Sequence, residues 1–356
     1  MSDGPVDFAI FGSDPLAQLL AGLLASQHRQ RIVLISADRS VFGLNSAMDL
    51  SIGAFTRPET WALLRQAVSE TTKLLVRIGA KAGIERIDPV LFAETAEGKQ
   101  ALAYIRHVAH GFGQHVERLA TGAMGMDRDG ILFRDAIWLD RARTQPMLST
   151  WLQRNGVKRL AASKVQVTFN SSGGAEIATE GNTLRAERAV LADDNSIITM
   201  VAKTLFGQQL RQYASTVLLT EPAGPLLAPV MMQIDRALTL SQGPTRAVAA
   251  LVAAGADDAL AQAGGLLANH AHLRLAGLGK FQHLRTGDGA QFIGRLQFGG
   301  PEIIAGMGPT GAFMAPALAR WLAGSASAEE SGYFGHRDVR DNAGSLVADY
   351  APGLAP

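Results

Sequence analysis

Apolar and polar positions along the chain follow two different periods. Val6 to Phe11 (VDFAIF) is a short, almost unbroken apolar run closed by Gly12, the pattern of a strand buried on both faces. From Pro15 to Ser26 (PLAQLLAGLLAS) apolar residues recur at helical spacing. Asp14 stands at the N-cap and Pro15 at the first helical position, where a missing N–H costs little. Residues 27–30 turn, and Arg31 to Ser36 (RIVLIS) reads as a second buried strand. A strand, helix and strand completed within about 35 residues open dinucleotide-binding folds in this way.

The middle of the chain has another character. Pro58 to Ile78 predicts a long amphipathic helix with Trp61, Leu64, Val68, Leu75 and Ile78 near one face, and Gly98 to Ala120 predicts a second. Asp127 to Asp140 reads as a hairpin or a strand pair, and Arg141 to Asn155 as a helix stopped by Gly156. Short strands then run from Val157 to Ala192 around a turn at 171–174, ending in the buried run Ala186–Ala192. Tyr213–Thr220, Met231–Leu240 and Thr245–Val252 predict strands of a second sheet, and Asp257–Ala271 a helix with a solvated acidic start. Glu302–Ala305 is a short strand leading through Gly306, Gly308 and Gly311 into a last helix, Ala312–Leu322, before a polar tail. This order predicts a discontinuous arrangement. Residues 1–50, 140–205 and 285–356 form a Rossmann-like domain, and 51–139 with 206–284 form a smaller domain built on a mainly antiparallel sheet.

Composition narrows the function classes. The 356 residues are 47% hydrophobic with a formal net charge of +1, so no global field points to nucleic acid or a membrane surface. There is no cysteine, which excludes disulfides, thiolate metal sites and a cysteine nucleophile. The eight histidines form no close ligand pattern, and His270 and His272 suit a strand face as well as a metal, so no metal site is predicted. No run of 18 or more apolar residues predicts a membrane span. The N-terminal residues do not read as a signal peptide, and a cytoplasmic protein is expected.

Four segments, in order, resemble the FAD-dependent D-amino-acid oxidase and glycine oxidase group. They are the opening unit with Gly12; Ser36-Ala37-Asp38-Arg39; Ala186–Ala192 followed by Asp193 and Asp194; and Asp288-Gly289, Phe292-Ile293-Gly294 and Gly306-Met307-Gly308-Pro309-Thr310-Gly311. The resemblance implies a bound, non-covalent FAD touching Gly12, Ser13, Asp38, Arg39, Ser46, Val165, Gly306, Gly308 and Gly311, with Asp38 on the adenosine ribose. The family's carboxylate-binding arginine would fall at His283, and Arg285, two residues on along a strand, projects from the same face. His283 and Arg285 are therefore the candidate catalytic residues, and Lys280 a candidate for oxygen activation. The departures lie at positions of close approach. Gly12-Ser13-Asp14-Pro15-Leu16-Ala17 carries an acid where the second glycine of the turn meets the pyrophosphate. At about 5 Å and an effective dielectric near 20, one such repulsion costs roughly 3 kcal/mol. Asp194 stands where the family has another glycine.

Two functions follow. One is an oxidoreductase that moves a hydride from a small amine or amino acid to FAD. The other is a degenerate subunit that has lost or weakened FAD binding and serves as a structural or regulatory partner of an active enzyme, in a hetero- or homo-oligomer. A third, weaker reading is a flavoprotein that modifies another protein.

Overall fold

The computed structural model describes residues 4–37, 44–45, 47–125, 127–207, 209–267, 274–287, 289–297 and 299–335. Asp38, Arg39, Ser46, His270, His272, Asp288 and the tail beyond 335 lie outside the described residues. The described residues form a mixed α/β structure built on two eight-stranded sheets and one three-stranded sheet.

The first sheet has a parallel centre. Val6–Phe11 lies between Ile32–Ser36 and Asn182–Leu191, with Lys158–Ala161 parallel outside Ile32–Ser36. Along Asn182–Leu191 the far neighbour changes. Ala175–Thr179 pairs antiparallel with it as far as Ala186, and Glu302–Ala305 pairs parallel with it at Val190 and Leu191. The strands of this sheet thus come from three separated stretches of chain. The apolar run of Val6–Phe11 is explained by its place, since both faces are covered and Ile10 and Ala9 are fully buried.

The first helix, Pro15–His28, is buried from Pro15 to Leu24 and packs on the last long helix, Gly311–Leu322, and on Arg141–Arg154. Close approach explains Gly22: a Cβ there would meet the Trp151 ring at about 2.1 Å. Gly311–Leu322 is likewise sunk between Pro15–His28 and Pro58–Arg77, and the Thr71 hydroxyl donates to the Phe313 carbonyl at 3.0 Å.

The second sheet runs Leu275–Thr286, Leu210–Pro222, Ala247–Val252, Leu238–Gln242, Val230–Gln233, Val90–Ala93, Asp129–Phe133 and Val116–Arg118. All its neighbours are antiparallel except Val230–Gln233 against Val90–Ala93. That one parallel pair joins residues 90–133 to residues 210–286, so both excursions away from the first sheet finish in one layer.

Several elements differ from the sequence reading. The helix expected to Ala120 is Ala96–Gly111; Gly113 turns the chain with φ 81°, and Val116–Arg118 joins the sheet. Asp129–Phe133 and Ala136–Leu139 do not pair with each other. The first belongs to the large sheet and the second to the small one with Asp49–Leu50 and Ile84–Ile87. The bend between them is held by Arg134, which pairs with Asp88 at 2.7 Å and Glu117 at 2.9 Å. The run Met231–Leu240 is a hairpin of two strands turning near Ala237, where φ is 47°.

The contact at Gly22 gives a test of helix packing. Alanine at an exposed helical glycine stabilises by about 1 kcal/mol, whereas overpacking a core costs about 1–3 kcal/mol. Gly22→Ala is therefore expected to lower unfolding free energy in urea, and Trp151→Leu in the same chain to restore part of the loss. A stabilised Gly22→Ala single variant would contradict the packing.

Candidate active site

Between the two large sheets lies a cavity of about 610 Å³. It is lined by the glycine turn after Glu302–Ala305, contributed by Gly306, Met307, Gly308, Pro309 and Gly311, and by residues 280–286 of the edge strand Leu275–Thr286 with Tyr213 and Ser215; the two segments meet where Gly306 faces Thr286. Phe55, Met232, Ile234 and Leu251 give it apolar surface, and Asp14, Asp49, Arg141, Asp193 and Asp194 bring charge to its lining.

The three glycines of the turn differ. Gly306 has φ 69°, and a Cβ there would meet the Thr286 methyl at 2.9 Å, so both backbone and packing call for glycine. Gly311 begins the helix at an ordinary φ of −52°, and a Cβ would press on Met307 at 3.1 Å. Gly308 has φ 53°, and a Cβ there would meet nothing within 4 Å. Only Gly308 leaves room for a flat ligand to approach the backbone while also holding a left-handed conformation.

Across the cavity, His283 and Arg285 project from one face of Leu275–Thr286, as alternation requires, and both lie against Tyr213 of the neighbouring strand. The His283 ring centroid is 5.8 Å from that of Tyr213, and the Arg285 guanidinium stands 4.4 Å from the Tyr213 ring centroid. Burial pushes the Tyr213 phenol up, Arg285 only partly opposing this, so the hydroxyl remains protonated and able to donate. His283 Nδ1 lies 2.9 Å from Asp194 Oδ2, and the Leu284 N–H donates to the same oxygen at 3.1 Å. Asp194, placed by the short helix Asp194–Met200, thereby fastens the first sheet to the second. Lys280 also lines the cavity.

At the other end the acid at position 14 has its cation. Arg141 is buried, with Asp49 at 2.6 Å and Asp14 at 3.2 Å. Burial works against its charge, but the attraction of Asp49 and Asp14 outweighs this and holds its pKa above the ordinary arginine value. The repulsion expected of an unpaired Asp14 is thus largely met by Arg141. Sequence alone could not name that partner, because it lies 127 positions away at the start of another helix.

Gly12 and Ser13 stand at the turn but do not line the cavity. A Cβ on Gly12 would meet Ala17 at 2.8 Å and Asp193 at 3.3 Å. The Ser13 N–H donates to Asp193 Oδ2 at 2.7 Å, and the Ser13 hydroxyl accepts from the Ala37 N–H at 3.0 Å. Asp193 also caps the helix Asp194–Met200 through Ser196 N–H at 2.8 Å. Burial first, and the nearby charge of Asp14 second, push the Asp193 carboxyl above its usual range despite these donors. Val165 packs at the margin of the core beneath the first sheet, away from the cavity. Among the described residues, no group of three or more His, Asp or Glu could hold a metal ion, and no helix is long and apolar enough to cross a membrane.

No protein-family model matches the chain, and no curated protein matches it by sequence. Solved structures do match it in shape. Glycine oxidase from Geobacillus kaustophilus superposes with a TM-score of 0.70 at 17% identity, over 90% of this chain and 94% of that one. L-proline dehydrogenase from P. horikoshii gives 0.69 at 12% identity over 95% and 98%. Iminodiacetate oxidase from Chelativorans sp. BNC1 gives 0.69 at 16% identity over 92% and 98%. At these identities the likeness establishes the fold. The chain shares the fold of these three proteins, and the fold expected from the resemblance is the one observed.

Two measurements test the charges. Removing one partner of a buried ion pair costs about 3–5 kcal/mol, so Arg141→Met should lower unfolding free energy by about 3 kcal/mol or more; a loss under about 1 kcal/mol would show that the cluster is not desolvated. For Asp193, the folded pKa lies above the unfolded one. In the interval between them the folded state binds more protons, and stability falls as pH rises. The stability of wild type relative to Asp193→Asn should therefore decline from about pH 4 upward and level off once the raised pKa is passed. A difference that does not vary with pH would contradict the shift.

Proposed function

We propose that the protein is an FAD-dependent oxidoreductase that oxidises a small amine or amino acid. The observation that carries this reading is the cavity between the open backbone at Gly308 and the cation–aromatic pair Arg285–Tyr213. The residues here suit a flavin ring: Gly308 presents no side chain, and Phe55, Met232 and Ile234 offer it apolar surface. At the other end, Gly12, Ser13 and the start of Pro15–His28 would take the diphosphate. The chemistry that FAD supplies when bound is acceptance of a hydride from the substrate α-carbon. The imine so formed hydrolyses in water.

The chain's own part is positioning. Arg285, held against Tyr213, offers a planar guanidinium to a substrate carboxylate, and the protonated Tyr213 hydroxyl can donate beside it. The charge at this wall steers an anionic group away from Asp14 and Asp193 at the far end. No dedicated base is needed when the amine arrives uncharged. The two domains proposed from the sequence would close on the substrate from either side, in the cytoplasm.

The visible spectrum of the purified protein and flavin release on denaturation are the first test; flavin absorption bands are expected after incubation with FAD. Gly308→Ala should lower flavin occupancy severely while costing the apo-protein only about 1–2 kcal/mol, the strain of a left-handed alanine. Arg285→Gln should raise KM for amino-acid substrates by about tenfold or more, the loss of roughly 1.4 kcal/mol or above in binding, with a smaller effect on uncharged amines. Equal flavin content in Gly308→Ala and wild type would remove the ring from this turn. Absence of flavin from every variant would favour the degenerate-subunit reading.

A further inference from the structure

We propose that Asp193 is a built-in competitor for the diphosphate: its carboxylate sits on the Ser13 amide that a dinucleotide needs, and the cofactor binds only by displacing it. This rests on the flavin reading above. In a nucleotide-binding strand–turn–helix unit, the diphosphate is held by backbone N–H groups at the helix start. Here that supply is reduced twice. Pro15, the first helical residue, has no N–H. The Ser13 N–H is taken by Asp193 Oδ2 at 2.7 Å. An anion therefore already sits on this donor, and it belongs to the chain itself.

The arrangement is firmly held. Asp193 is only 8% exposed, and its second oxygen caps the following helix through Ser196. Gly12 leaves room for it, since a Cβ there would press on the Asp193 carboxyl at 3.3 Å. The Ser13 carbonyl and hydroxyl are fixed as well, accepting from Gln18 and from the Ala37 N–H. Arg141 does not relieve the conflict, because it is shared between Asp14 and Asp49. A diphosphate entering the turn would meet the Asp193 charge, whereas a flavin ring without phosphates would meet only the cavity.

Binding of FAD and of riboflavin, followed by quenching of flavin fluorescence, separates these contributions. Asp193→Asn keeps the helix cap and removes the charge; Asp193→Ser also keeps a capping hydroxyl on a shorter side chain. The expected result is that FAD affinity rises about tenfold or more in both variants, the equivalent of about 1.4 kcal/mol. Riboflavin affinity should stay within about twofold of wild type. If riboflavin binds but FAD affinity does not rise relative to it in either variant, the competitor proposal is overturned and the flavin reading stands. If neither flavin binds wild type or either variant, the flavin reading falls and the competitor with it, because clearing the turn has created no site. Urea unfolding of each variant confirms that the compared proteins are folded.

Discussion

A guanidinium enclosed by two carboxylates decides how the parts of this protein meet. Arg141 begins the helix that carries the chain from the small three-stranded sheet to the first sheet, and it reaches Asp49 in the small sheet and Asp14 at the turn after the first strand. Its side chain is almost wholly out of water, so none of the three charges can be left without the others at small cost. The crossing strand, the returning helix and the opening turn are thereby held in one place. The cavity lies directly beyond this point, and its shape follows from the positions of those three segments.

The opposite wall depends on a different kind of linkage. Asp194 and His283 hold a short helix of the first layer to the edge strand of the second, and Tyr213 backs both His283 and Arg285. The polar groups facing the cavity are therefore positioned from behind: Arg285 by an aromatic face, His283 by a carboxylate. Each end of the space thus holds both signs, Asp194 beside His283 at one and Arg141 between Asp14 and Asp49 at the other.

Much of the architecture was legible in the chain because its signals are local. Val6–Phe11 and Ile32–Ser36 are dense apolar runs with turn residues after them, and Asp14-Pro15 marks a helix start, so the opening unit could be read within a few residues of its observed limits. The glycine turn from Gly306 was legible for the same reason. Leu275–Thr286 was not read as a whole strand, since its glycines and mostly half-exposed residues give no apolar run, and its pairing with Leu210–Pro222 over a long register supplies what periodicity lacks. The separation of Asp129–Phe133 from Ala136–Leu139 into two sheets was hidden as well, because the ion pairs at Arg134 reach residues far away in sequence. In the site, His283, Arg285 and Gly308 were pointed to by the resemblance and all line the cavity, but Tyr213 and Arg141 carry no local mark in the sequence. The acid at position 14 showed that a cation was needed without showing which one.

The long pairing of Leu210–Pro222 with Leu275–Thr286 also bears on how the molecule comes to be folded. Between these strands lie a hairpin, a further strand and a helix, and the wall carrying Tyr213, His283 and Arg285 exists only once the ends of that detour have met. Contacts between segments so distant in sequence are slow to form, since the entropy of closing the loop is lost before the pairing returns it. The opening strand–helix–strand unit needs no such closure. That local unit can therefore take shape early, whereas the wall carrying Tyr213, His283 and Arg285, like the pairing of Val6–Phe11 with the distant Asn182–Leu191, waits on contacts between segments far apart in sequence.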